Sequence, residues 1–264
     1  MHQGGHAAFI FSEAFMEYDF GPLHPLRPER LRLLRERLQA DGVLDSPHVR
    51  LVEAQPATEE EVLAVHTREY YDAVAALSSG HRVVKREEYG FGGLDNLPFP
   101  GMLEASLLYT GASLQAARLV SRGEVPRAMN PAGGLHHAMP GRASGFCIFN
   151  DPAVAIADLL RRHERVLYLD IDAHHGDGVQ AVFYESPRVL TLSLHESGRT
   201  LFPGTGSPEE IGTGAGEGYS VNAPLMAGTG DDTFLRVFDA LVPPLVEWFK
   251  PEVIVAQLGI DTHH

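Results

Sequence analysis

The chain has 264 residues, enough for one large α/β domain or two small ones, and 44% of them are hydrophobic, so a sizeable core is available. The formal net charge of −14 and the isoelectric point of about 5.4 argue against a nucleic-acid-binding surface and are compatible with a cationic substrate. One cysteine, Cys147, excludes an intrachain disulfide and a cysteine-built zinc knuckle. No apolar run approaches membrane-spanning length, and no basic stretch followed by an apolar one opens the chain, so the expectation is a cytoplasmic protein with no membrane partner.

In chain order, residues 28–40 predict a helix with proline in its first turn. Thr58 and Glu61 have the spacing of a capping box that opens a second helix. Residues 102–121, rich in Ala, Leu and Ser, predict a long helix buried on most sides, and residues 151–162 another after a turn. Strands are predicted at 166–171, 189–194, near 219–221 and at 253–258, with a helix over 231–249 between the last two. Alternating strands and helices indicate an α/β fold whose parallel sheet is covered on both faces.

Residues 168–178 read Tyr-Leu-Asp-Ile-Asp-Ala-His-His-Gly-Asp-Gly. Asp170, Asp172 and His174 fall two apart, which on an extended backbone puts all three side chains on one face. Asp261 ends another apolar run and supplies a further oxygen. A lone Asp at a strand end usually caps or turns the chain, and a lone His is usually a surface or satisfied core residue. Four titratable groups within eight residues of an apolar strand fit a divalent cation better, because paired buried carboxylates need one to offset their repulsion. Asp172, His174 and Asp261, with an open position left over, suit one catalytic zinc per chain.

Residues 133–151 form a glycine-rich segment containing His136-His137. A histidine pair in such a loop is often exposed and idle. In a zinc hydrolase it can divide the roles of base and acid, with Asp170 and Asp177 as the available orienting carboxylates.

These two blocks resemble those of the zinc-dependent histone deacetylase family, and of its bacterial acetoin-utilization branch in particular. His24-Pro25, Pro28, Arg30, Ser193-Leu194-His195, the Phe202–Gly206 string and Gln257–Asp261 follow in family order over nearly the whole chain. The resemblance implies a single three-layer, arginase/deacetylase-like domain over residues 1–264, its central and mostly parallel sheet flanked by helices. It implies hydrolysis of acetyl-lysine side chains by zinc-activated water. Asp172, His174 and Asp261 match the zinc ligands, and His136 with Asp170 and His137 with Asp177 match the catalytic pairs, His137 as general base. Phe146 and Phe202 match the walls of the acyl-lysine slot, with Gly145 beside them. Asp95 matches a rim residue that holds the substrate backbone, and Arg30 one lining an internal channel. Structural potassium is implied at two places. The inner one uses Asp170, Asp172, His174, Ser193 and Leu194, and the outer one Phe183, Ser186, Val189 and Tyr219. Family members continue past the third ligand into further strands and a loop with a carbonyl-polarising tyrosine. Here His264 follows Asp261 by three residues, so the expectation is a domain without its C-terminal portion and a slowed or absent reaction.

Ureohydrolases share the architecture and the string Asp-Ala-His, but need an Asp two residues beyond that His to hold a second metal, where this chain has Gly176. An acetylpolyamine deacetylase, acting on an acetylated small amine, would use the same chemistry behind a different slot mouth. A non-catalytic acyl-lysine binder is the third alternative.

Overall fold

The computed structural model describes residues 6–261, which divide between Asp158 and Leu159 into two compact units. In the first, the apolar segment β1 (Ala7–Phe11) is almost wholly buried. A loop leads to α1 (Glu29–Ala40), which starts one residue after Pro28, where the missing N–H costs nothing. The strand β2 (Val49–Glu53) follows, then α2 (Glu59–Val62) with the expected capping box. Thr58 Oγ1 accepts from Glu61 N, and Glu61 Oε2 accepts from Thr58 N. Next come α3 (Arg68–Ser78), α4 (Met102–Ser121), β3 (Arg127–Met129) and α5 (Asp151–Leu159). The strands form a parallel sheet in the order β2-β1-β3. Helix α4 spans the predicted residues and buries Met102, Ala105, Tyr109, Ala112 and Leu114 in the core of this unit. Its small residues let neighbours approach closely.

Helix α5 ends at Leu159 rather than at Arg162 as the sequence predicts. The carbonyls of Leu160 and His163 turn to the Arg188 guanidinium, which donates to both at 2.7 and 2.8 Å. A side chain from elsewhere thus satisfies carbonyls that another helical turn would have used.

The second unit contains β4 (Val166–Asp170), α6 (Asp177–Phe183), β5 (Val189–Glu196), β6 (Ser220–Leu225), α7 (Asp231–Phe249) and β7 (Val253–Gln257). The strands are all parallel, in the order β6-β5-β4-β7. Parallel strands need crossover connections: α6 lies in the one between the neighbours β4 and β5, and α7 in the one from the edge strand β6 to the opposite edge strand β7. The central strands β4 and β5 are buried along nearly their whole length, which explains the apolar run of β4, while β5 buries Thr191, Ser193 and His195 between its leucines. Leu167, Leu190, Leu192 and Leu194 pack with Val242 and Phe249 of α7.

Two features position the chemistry. Strands β4 and β7 are neighbours, and their last residues, Asp170 and Gln257, are in register. The loops that leave their carboxyl ends therefore start side by side, where open α/β sheets place their ligands. The strand also stops at Asp170, so Asp172 and His174 lie in bends beyond it. The expected two-residue alternation on extended backbone is not what gathers them.

Candidate metal centre and histidine pair

A series of carboxylate-to-backbone bonds folds the segment after β4. Asp170 is fully buried. Its Oδ2 accepts from Tyr168 OH (2.7 Å), and its Oδ1 accepts from the N–H of Asp172 (3.1 Å). Asp172 Oδ1 in turn accepts from the N–H of His174 (2.8 Å). Two successive Asp side chains each bonding the backbone two residues on make consecutive Asx turns. Asp261 Oδ1 accepts from the N–H of Ala173 at 3.0 Å.

The outcome is a cluster in which Asp172, His174 and Asp261 each offer a ligand atom, all within 4.8 Å of one another. His174 Nδ1 lies 3.1 Å from Asp172 Oδ1 and 2.8 Å from Asp261 Oδ2. Hydrogen bonds to Asp172 and Asp261 push the His174 imidazole up to about 10, against the smaller opposing effect of burial. Two carboxylates converging on one ring nitrogen hold a proton there, and a divalent cation would replace it. One imidazole and two carboxylates fit a metal site with three protein ligands and an open position. Gln257 Nε2 donates to Asp172 Oδ2 at 2.9 Å and so aims that carboxylate. Gly259 is required beside it, because a Cβ there would sit 1.9 Å from Asp172 Oδ2.

In the first unit, His136 and His137 are both buried, and their Nε2 atoms lie 3.1 Å apart. Only one Nε2 of the neutral pair can carry the hydrogen between them, so the other presents a lone pair. Their loop is held by three side chains. Asp151 accepts from the N–H groups of Gly134 (3.1 Å) and Leu135 (2.8 Å) and from the hydroxyl of Ser113 (2.5 Å). Burial pushes the Asp151 carboxyl up, and these donors pull it only partly back. Asn150 Nδ2 donates to the carbonyls of His136 and Ala138. His66 accepts from Asn150 N at Nε2 (2.9 Å), and its Nδ1 donates toward the carbonyls of Met139 and Pro140. Burial pushes His66 down to about 4, so it stays neutral and keeps that tautomer.

The remaining predicted residues fall into two groups. Phe146 has φ of +70°, rare for a bulky residue, directly after Gly145 at +50°. Tyr18 OH donates to the Phe146 carbonyl (2.8 Å) and accepts from Ile148 N (3.2 Å), pinning that turn. His24 meets the Phe146 ring edge-on, with centroids 4.6 Å apart, and its Nε2 donates to the carbonyl of Asp95 (3.1 Å). The Asp95 residue itself is exposed. In the second unit, Phe202 is 45% exposed, its ring 6.3 Å from that of His174, and the buried Asp177 opens α6.

A histone deacetylase domain model matches residues 24–264. The chain belongs to the histone deacetylase family. It is 45% identical over 260 residues to the acetoin utilization protein AcuC of Bacillus subtilis, covering 98% of this chain and 67% of that one. It is 40% identical over 257 residues to the histone deacetylase RPD3 of Saccharomyces cerevisiae, covering 97% and 59%. The crystal structure of an HDAC homolog from Aquifex aeolicus superposes with a TM-score of 0.87 at 39% identity, over 95% of this chain and 68% of that one. The chain thus spans about three fifths to two thirds of the length of these relatives.

The residues that hold the site, as distinct from those that would react, escape sequence reasoning. Gln257, Asn150, Asp151 and His66 each act on residues 12 or more positions away. One signal was available for Gln257. A polar residue ending the apolar run of β7 needs a buried partner.

Proposed function

We propose that residues 1–264 belong to the catalytic domain of a zinc-dependent deacetylase that hydrolyses the acetamide of acetyl-lysine side chains. The observation that carries this reading is the convergence of Asp172, His174 and Asp261 beyond the sheet in a member of this family. The three residues would hold the ion through His174 Nδ1 and one oxygen of each aspartate. Zinc supplies Lewis acidity to the amide carbonyl and acidifies the attacking water. His137, as general base, takes a proton from that water at Nε2, and His136 orients and stabilises. Asp170 and Asp177 orient the imidazoles. Phe146 and Phe202 flank the acyl chain beside Gly145, and Asp95 accepts from the substrate's backbone N–H groups at the rim. In this reading the reaction takes place in the cytoplasm.

The test is hydrolysis of an acetyl-lysine peptide by the zinc-loaded chain and by His137→Ala at equal metal content. The variant should lose about 100- to 10,000-fold in kcat while keeping its metal, and His136→Ala should lose less. Equal rates in His137→Ala and the parent would refute the assignment.

A further inference from the structure

A buried polar network in the second unit joins α6, β6 and the segment that carries Phe202. Its centre is the Gln180 carboxamide. Gln180 Oε1 accepts from Asn222 Nδ2 (2.7 Å), Ser220 Oγ (2.8 Å) and His175 Nε2 (3.1 Å), and Gln180 Nε2 donates to Glu210 Oε2 (2.7 Å). Glu210 Oε1 accepts from the N–H groups of Gly206 (2.9 Å) and Ser207 (3.0 Å). Burial pushes the Glu210 carboxyl up, but the Ser207 N–H, the Gln180 amide and the Gly206 N–H outweigh it and hold the group below its usual range. Glu210 is therefore an anion at neutral pH.

Fixed backbone groups dictate the direction of every bond. The N–H groups of Gly206 and Ser207 can only donate, so Glu210 must accept. The carbonyl of Glu210 accepts from Asn222 Nδ2 (3.1 Å), which fixes the Asn222 amide and hence which end of Gln180 meets it. Beside the network, Thr205 bonds His175 Nδ1 (2.8 Å), and the Gly206 carbonyl accepts from His195 Nε2 (3.0 Å). A Cβ on Gly206 would lie 2.3 Å from His195 Nε2, so the backbone is packed directly on the ring. Of residues 205–210, Gly206 is thus tied to β5 and Glu210 to α6 and β6, while Thr205 meets His175 just before α6 and Ser207 is held through Glu210. Phe202 is three residues before this clamp.

We propose that Gln180 and Glu210 are positioning residues that lock residues 205–210 to α6 and β6 and so hold Phe202, three residues earlier, beside His174. The consequence for substrate rests on the deacetylase reading, and the lock itself does not. The complementarity can be broken and then restored. Glu210→Gln sets an amide NH2 against either the Gln180 NH2 or the two backbone N–H groups. Gln180→Glu sets two carboxylates face to face. The reciprocal double variant, Gln180→Glu with Glu210→Gln, gives every group a partner again. The carboxylate at 180 accepts the three donors and the new amide, and the amide oxygen at 210 accepts the two backbone N–H groups.

Amide hydrogen exchange at Gly206 and Ser207 reads the lock without any need for activity. Each single variant should exchange at least about tenfold faster than the parent, and the double should return to within about threefold of it. On an acetyl-lysine peptide, the singles should raise KM about tenfold with kcat changed less, and the double should recover KM. If a single fails to fold, a folded double is itself the rescue. Singles that exchange as slowly as the parent, or a double as loose or unfolded as the singles, overturn the lock. A loosened loop with KM unmoved overturns its hold on Phe202. A parent that exchanges as expected but, with zinc bound, neither binds nor hydrolyses an acetyl-lysine peptide overturns the deacetylase reading and leaves the lock standing.

Discussion

The turn after β4 and the loop bearing His136-His137 both carry candidate site residues on irregular backbone, but they are held differently. The turn is held largely by its own side chains, with Gln257 and Asp261 as its distant supports. Asp170 bonds Asp172, Asp172 bonds His174, and the candidate ligands are the turn's own hydrogen-bonding groups. The histidine loop is held from outside. Asp151, Asn150 and His66 grip its backbone, while the His136 and His137 rings take no part in those bonds. In the turn, structure and chemistry use the same atoms. In the loop they are separated, so a substitution can damage one without touching the other.

The sharpest way to test this contrast is to remove one buried carboxylate from each region. Asp172→Ala removes a ligand and the acceptor of the His174 N–H together. Bound metal should fall from one per chain to under about a tenth, with hydrolysis lost alongside. Elemental analysis after gel filtration measures this, and a variant that retains full metal would dissolve the assignment of Asp172.

Asp151→Ala should behave in the reverse manner. It leaves two backbone N–H groups and a hydroxyl without their buried acceptor, at a cost of about 3 kcal/mol or more in stability. All three candidate ligands lie in residues 159–264, so metal content should remain at one per chain. Denaturant unfolding and elemental analysis on one sample separate the two effects. A stable Asp151→Ala with normal activity would mean that the loop does not depend on its outside support.

The same contrast explains what was legible in the sequence. The turn could be found because its residues are contiguous and each interacts with the next but one, even though bends rather than strand alternation bring them together. Helices α4 and α7 were placed to the residue because their apolar pattern is long and unbroken. The strands β1, β2 and β3 were not anticipated. β3 has three residues and β2 is largely exposed, so neither shows the apolar run that marks a central strand. The supports of the histidine loop were illegible for a different reason. Asn150-Asp151 reads locally as a helix start, and nothing near His66 in sequence indicates that its ring meets a backbone 73 positions on.

The smallest effect tests the turn's shared atoms directly. His174, raised to about 10, carries its proton at pH 8 in the metal-free chain, and metal binding needs the Nδ1 lone pair. Loading at pH 8 should therefore release close to one proton per chain from this residue, and apparent affinity should rise with pH up to about 10. Stability gives an independent sign. The folded value lies above the unfolded 6.5, so the native metal-free chain binds more protons than the unfolded one between 6.5 and about 10. Its stability from this group is complete below 6.5 and falls as pH rises through that window. The metal-loaded chain, whose His174 has already given up the proton, should lack that fall. Calorimetric titration of zinc in two buffers of different ionisation enthalpy reads the proton, and urea unfolding at pH 7 and pH 10, with and without metal, reads the stability. No proton released, together with a flat metal-free profile, would show that Asp172 and Asp261 do not share His174 Nδ1 in solution, and the turn would then resemble the histidine loop, a scaffold separate from its chemistry.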